Sequence, residues 1–180
     1  MLRSNHQPPA GDWNHWYLRS GRGSGKTYAA ANYAVDRGHA DKDLQVLVLS
    51  ETVSMAVNVA DEMVKRGCAF RPSVPMLEIG NGSTAYFAGI RRRKATPDEL
   101  KHDGHPERFD VFERIQGMRF DVIVCDEIPD FVALHSHRLL WHALKDGGRI
   151  VSTASVHIDR KLDAALVAIP GTVVTGSWVD

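Results

Sequence analysis

The sequence predicts an α/β fold, a mostly parallel sheet flanked by helices and carrying a central β-hairpin insertion, on three observations. Short apolar runs alternate with amphipathic ones along most of the 180 residues. A glycine-rich loop, Ser20-Gly21-Arg22-Gly23-Ser24-Gly25-Lys26-Thr27, stands between an apolar run and an alanine-rich one. A second apolar run, Val122-Ile123-Val124-Cys125, ends in two adjacent carboxylates, Asp126 and Glu127.

The elements follow in order. Strands are expected at Trp16–Leu18, Gln45–Ser50, Asp121–Cys125, Arg149–Thr153 and Thr172–Ser177. Helices are expected at about Lys26–Arg37, Ser54–Arg66, Leu134–Lys145 and Asp159–Val167. In the second of these, Met55, Val59, Met63 and Arg66 recur at helical spacing, which makes its methionines core residues. Gly38, Gly67 and Gly147-Gly148 read as stops for three helices. Between Phe70 and Phe120 the alternation breaks. Met76–Ile79 and Thr84–Phe87 flank Gly80-Asn81-Gly82-Ser83, a hairpin signal. The polar stretch from Arg91 to Pro106 that follows reads as a mobile loop.

The glycine-rich loop is built to hold phosphate. Its glycines let the backbone turn tightly, so successive N–H groups face an anion at a helix N-terminus. Lys26 supplies a positive charge for the outer phosphates and the Thr27 hydroxyl is a Mg²⁺ ligand. The pattern matches a Walker A loop except that Ser20 stands where its first glycine belongs. Ligands of open α/β sheets bind beyond the carboxyl ends of strands, where Asp126 and Glu127 sit. There Asp126 is expected to hold Mg²⁺ and Glu127 to polarise an attacking water. Order and content together predict a P-loop NTPase of RecA/ASCE-like type that hydrolyses its nucleotide. A third polar element, Val151-Ser152-Thr153-Ala154-Ser155, ends another apolar run; Ser152 and Thr153 are candidates to sense the terminal phosphate, against the plainer reading of a polar turn.

Composition sets bounds on partners. Lys plus Arg equals Asp plus Glu at 22 each, so any nucleic-acid contact must come from a local patch. The two cysteines, Cys68 and Cys125, are far apart and lack metal-ligand spacing, which points to a reducing compartment. No apolar stretch approaches the roughly 20 residues needed to span a bilayer. The polar start resembles no secretory signal, so a cytosolic location and no membrane partner are expected.

These segments resemble, in order, the ATPase domain of the large terminase subunit of tailed bacteriophages. Gly21–Thr27 is similar to the family's Walker A loop, including a basic residue within it, here Arg22. Asn81-Gly82-Ser83-Thr84-Ala85-Tyr86-Phe87 resembles its central hairpin. Gln116-Gly117-Met118-Arg119-Phe120 through Glu127 resembles its glycine-then-Walker-B segment, and Ser152–Ser155 falls where it has a coupling motif. The resemblance runs from about Trp13 to the end. It implies ATP and Mg²⁺ as ligands, double-stranded DNA as the translocated partner, and a portal protein and small terminase subunit as further partners. It also implies a ring of subunits when assembled, with a monomer compatible with the isolated chain, in the host cytoplasm and transiently on the procapsid. Large terminases carry a C-terminal nuclease domain with an acidic cluster. This sequence stops at Asp180, so residues 1–180 are expected to be one ATPase domain without DNA cleavage.

Several features stay open on sequence alone. Arg91-Arg92-Arg93-Lys94, the one dense basic run, fits a DNA contact, an arginine finger or a solvated loop. Arg22 competes for the finger role, and Arg114 and Arg119 are weaker candidates. His102, His105, His135, His137 and His142 lack the i,i+4 pairing of a zinc site. Trp13, Trp16 and Tyr17 suit either an adenine wall or core packing. Rival functions are a helicase-like or RecA-like nucleic-acid ATPase, for which strand-separation motifs are missing, and a nucleotide-binding interaction module with little hydrolysis.

Overall fold

Alternation along the strands decides the architecture. The computed structural model describes residues 6–71, 76–90, 92–94, 96–98, 101, 107–109, 111, 114–127, 139–155 and 160–176. Their elements are β1 (His15–Arg19), α1 (Lys26–Ala40), β2 (Gln45–Ser50), α2 (Val53–Val64), β3 (Ala69–Arg71), β4 (Met76–Gly80) and β5 (Ser83–Gly89). After them come β6 (Arg92–Lys94), β7 (Glu107–Phe109), β8 (Phe120–Cys125), β9 (Leu144–Ala154), α3 (Arg160–Val167) and β10 (Thr172–Thr175). Eight strands form one sheet in the order β10-β1-β9-β8-β2-β5-β4-β3, and β6 pairs with β7 in a separate ribbon.

From β10 to β5 every pairing in the main sheet is parallel. Side chains therefore divide between two buried faces with period two. Trp16, Leu18, Val46, Val48, Val122, Val124 and Val151 pack with α1 and α2. Tyr17, Leu47, Leu49, Ile123 and Ile150 face the opposite layer with Leu140 and Leu166. In α1, Ala29, Ala30, Ala31 and Ala34 are buried, and side chains this small let the helix lie close to the sheet. The α2 helix begins at Thr52, whose hydroxyl accepts from the Met55 N–H at 3.2 Å, and buries Ala56, Val59, Ala60 and Met63. Met63 is thus core, as expected, whereas Met55 is only half-buried.

Several expectations need correction. The hairpin is no insertion: β5 pairs with β2 from Gln45↔Thr84 to Ser50↔Gly89, so β4 and β5 extend the main sheet and β3 adds an edge strand. Part of the expected mobile loop is ordered, since Arg92–Lys94 pairs antiparallel with Glu107–Phe109. The helix expected at Leu134–Lys145 ends earlier: residues 139–143 are helical and β9 already begins at Leu144, opposite Phe120. Gly147, with φ +73°, sits in an irregularity of that strand and caps no helix. Residues 134–138 and Asp159 lie outside the described residues, as do Arg91, His102, His105, His135 and His137.

Gly38 also fails as a stop, because α1 continues to Ala40. Its missing side chain makes room for β4. A Cβ there would stand 2.7 Å from Ile79 Cγ2 and 3.2 Å from Ile79 Cβ, and Ile79 is buried and branched. Gly38→Ala is therefore expected to lower the melting temperature, the overpacking cost of about 1–3 kcal/mol exceeding the roughly 1 kcal/mol gained in helix propensity. Thermal unfolding checks this; a rise in melting temperature would show that Ile79 yields freely. Gly67, by contrast, does end α2 as expected, with φ +94° and its N–H donating to Val64 O at 2.9 Å.

Candidate nucleotide site

Strand order brings the predicted segments together. The strand that feeds the glycine-rich loop, β1, and the strand that ends at Asp126, β8, are not neighbours; β9 lies between them. Because all three run parallel, their carboxyl ends meet at one edge of the sheet. Ser20, Asp126 and the Thr153–Ser155 segment converge there, above the N-terminus of α1.

The loop has the conformation its glycines allow. Gly23 and Gly25 take φ of +72° and +94°, where a side chain would be strained. Ser20 is not among the positive-φ residues, which explains why serine serves where the pattern has glycine. Gly25 caps α1 without a side-chain acceptor, so the first-turn amides keep their capacity for an outside anion. Lys26 is buried, and its ammonium donates to Ser20 O at 2.9 Å and Gly21 O at 3.0 Å. The same Nζ lies 3.6 Å from Glu127 Oε1.

Asp126 is held by two hydroxyls. Thr27 Oγ1 donates to Asp126 Oδ1 at 3.0 Å, and Thr153 Oγ1 donates to the same oxygen at 2.8 Å. Its backbone N–H donates to Leu49 O at 2.8 Å, fixing the turn off β8. Glu127 has a φ of +52°, rare for a residue with a side chain. Two contacts hold it there: its N–H donates to Thr153 Oγ1 at 2.9 Å, and Ser155 Oγ donates to its Oε1 at 2.7 Å. Thr153 thus spans both acids with a single hydroxyl.

Burial is the main cause that raises the Asp126 carboxyl above its ordinary range. The two hydroxyl bonds oppose the shift, the Glu127 charge adds to it, and Lys26 opposes it. Its folded-state value lies above the unfolded one, so protonated Asp126 stabilises the fold at low pH. That contribution fades as pH rises through the raised value, and at neutral pH the charge costs stability. Asn keeps the Oδ1 acceptor without the charge. In metal-free buffer at neutral pH, Asp126→Asn is expected to raise the melting temperature. An unchanged or lower melting temperature at pH 7–8 would show that the buried charge is already compensated. Beside it Cys125 is enclosed, its thiol pushed up to about 12 by burial first and the Asp126 charge second, so it stays neutral filler.

Other candidates separate. Ser152 points to the opposite face of β9 from Thr153, where its hydroxyl meets His15 Nε2 at 2.9 Å; His15 Nδ1 in turn meets Thr172 Oγ1 at 3.0 Å. Arg22 is exposed at the loop. Arg119 precedes β8 and so lies at the strands' amino ends, away from Asp126, while Arg114 is exposed. Arg92 and Arg93 lie on β6, outside the main sheet, and Arg91 lies outside the described residues. Trp13 and Trp16 are core: their ring centroids are 6.2 Å apart, and Tyr33 of α1 lies 5.4 and 5.9 Å from them.

Sequence reasoning missed the contacts that fasten β1 and the loop. Asp163 of α3 accepts from Tyr17 OH at 3.0 Å and from Arg19 Nη1 at 2.7 Å. Burial, with the Asp163 charge second, pushes the Tyr17 phenol far above its ordinary range, so it remains a donor. His6, buried beside the loop, approaches Ser20 Oγ with its Nε2 at 3.4 Å. No motif announces either contact. The one available signal was the period-two phase of β9, which sets Thr153 on the same face as Val151, toward α1.

A lysine, a glycine-rich loop, a hydroxyl beside a carboxylate and a second carboxylate thus gather at the carboxyl ends of parallel strands in an α/β fold. Comparison with solved structures makes the likeness particular. The chain superposes on the large terminase of a thermophilic bacteriophage with a TM-score of 0.62 at 12% identity, covering 91% of this chain and 40% of that one. The same thermophilic phage's large terminase in complex with ATP-γ-S gives 0.56 at 14%, covering 91% and 39%. The HK97 bacteriophage large terminase gives 0.57 at 16%, covering 96% and 36%. The chain therefore shares the fold of part of these terminases and spans about 40% of the thermophilic phage protein's length. No protein-family model and no curated protein sequence matches it.

Proposed function

We propose that this chain is a Mg²⁺-dependent ATPase domain whose turnover drives double-stranded DNA translocation in phage genome packaging. One observation carries the reading: Lys26, Thr27, Asp126 and Glu127, from two segments about 100 residues apart, form one connected cluster at the carboxyl edge of the sheet. The strand order around it, with β9 between the loop strand and the acidic strand, supports a RecA/ASCE-like P-loop assignment. The fold shared with phage large terminases supports the packaging role, and with it the family's partners: DNA, portal protein, small subunit and neighbouring copies in a ring.

The residues present fit Mg²⁺. Thr27 Oγ1 and Asp126 Oδ1, both hard oxygen donors, stand 3.0 Å apart, next to the lysine that would balance phosphate charge. Bound Mg²⁺ would neutralise charge on the nucleotide phosphates as the bond to the terminal phosphate breaks. The loop amides and Lys26 bind and orient those phosphates. Thr153 keeps Asp126 and Glu127 in register with one another. Glu127 accepts a proton from the attacking water and orients it, and Ser155 holds the carboxylate for that task. Thr153 and Ser155 are also placed to link the phosphate site to β9, the proposed coupling path.

The test is steady-state phosphate release from ATP with Mg²⁺, with and without linear double-stranded DNA. Turnover that DNA accelerates is the expected result. Tight ATP binding with no turnover under either condition would favour the interaction-module reading instead, and absence of binding would overturn the nucleotide assignment.

A further inference from the structure

We infer that His6, Ser20 and Ser24 form a hydrogen-bonded relay that turns the Ser24 hydroxyl proton toward the nucleotide phosphates, making His6 a positioning residue of the loop. The inference rests on nucleotide binding at this loop, as proposed above.

Ser20 occupies the position where the loop pattern has glycine, and here it is buried with a polar partner on each side. Its Oγ lies 3.4 Å from His6 Nε2 and is hydrogen-bonded to Ser24 Oγ. His6 is only 1% exposed, so it does not line an open ligand site and must act through a neighbour. It also closes against the start of α1: its Nδ1 is 3.9 Å from where a Cβ on Gly25 would stand. The imidazole therefore meets the loop at Ser20 and lies near its far end at Gly25.

A chain of one imidazole nitrogen and two hydroxyls has two proton directions. If Nε2 carries no hydrogen, Ser24 donates to Ser20 and Ser20 donates to His6, which spends the Ser24 proton inside the chain. If Nε2 carries the hydrogen, His6 donates to Ser20 and Ser20 donates to Ser24. The Ser24 proton is then free to leave the chain. Ser24 is half-buried in the loop that leads into the N-terminus of α1, so an anion bound at that terminus would select the second direction. Glycine in place of Ser20 would break the relay, because it has no hydroxyl to pass the proton. The serine is thus a working part of this loop.

The test is a double-mutant cycle on ATP affinity in the 180-residue chain, read by calorimetric titration alongside thermal unfolding. His6→Ala, Ser20→Gly and Ser24→Ala are each expected to weaken ATP binding about 10–150-fold, the worth of one hydrogen bond to a charged group. The His6→Ala/Ser20→Gly double variant should lose no more than either single one. His6→Gln, which keeps an N–H donor at similar reach, should restore most of the affinity. Additive losses, or a lowered melting temperature with unchanged affinity, would overturn the relay while leaving the nucleotide reading intact. A parent chain that binds no ATP would remove both.

Discussion

Glu127→Gln is expected to bind Mg·ATP as the parent does and to lose turnover by about 10²–10⁴-fold, the range for removing a general base. Gln has nearly the same shape, and its amide oxygen still accepts the Ser155 hydroxyl that now reaches Oε1 at 2.7 Å. The backbone bond from Glu127 N–H to Thr153 is untouched by the change. So the unusual φ of +52° and the register with Asp126 should survive. What disappears is the negative charge, and with it the capacity to take a proton. The carboxylate side chain is 34% exposed, enough for water to reach the oxygen that Ser155 leaves open. Loss of the ion pair at 3.6 Å also frees Lys26 for phosphate, so ATP affinity should hold or rise. Phosphate release measured beside ATP affinity separates the two effects. Parental turnover in the variant would take the base role away from Glu127.

How far the sequence discloses this site depends on how local each signal is. The loop, Lys26 and Thr27 are read from eight consecutive residues, and Asp126-Glu127 from the apolar run before them, because each element carries its own instruction. The pairing of Thr27 with Asp126 is legible only as an inference from the order of the motifs. The sheet's far half was misread for a physical reason: β5 finds its parallel partner, β2, across a separation of 39 residues, as at Gln45↔Thr84, and no local pattern encodes that distance. Similarly, Gly147-Gly148 carries the composition of a helix stop, yet pairing of Leu144 with Phe120 prevails over local propensity and makes an irregular strand. Thr153 and Ser152 differ by one residue and hence by one face of the sheet. One bridges the two acids and the other is tied to His15, a distinction fixed by register with β1 and β8. His6 and Asp163 were invisible because they act across 14 and 144 residues on partners no motif names.

Lys26→Ala and Lys26→Met are expected to abolish detectable ATP turnover, with kcat/KM falling by at least about 10²–10³, the scale for one preorganised charge donor. Lys26 Nζ has three protons. Two go to Ser20 O and Gly21 O, and Glu127 Oε1 lies 3.6 Å from the same nitrogen. The ammonium therefore organises the curl of the loop, and under the proposed function a substitution removes that role and phosphate binding together. The cost to the fold should stay small. Each charged hydrogen bond is worth about 1.5–3 kcal/mol, but the Gly21 carbonyl is only partly buried and can be rehydrated, and a buried ammonium no longer has to be desolvated. Met fills the volume left by the stem, so Lys26→Met should unfold near the parent's melting temperature while failing to bind ATP. Parental ATP affinity in that variant would remove Lys26 from the phosphate site. Arg should not rescue: a planar guanidinium spreads its protons in one plane, whereas the two loop carbonyls and Glu127 surround the Lys26 nitrogen as a compact, rotatable donor requires.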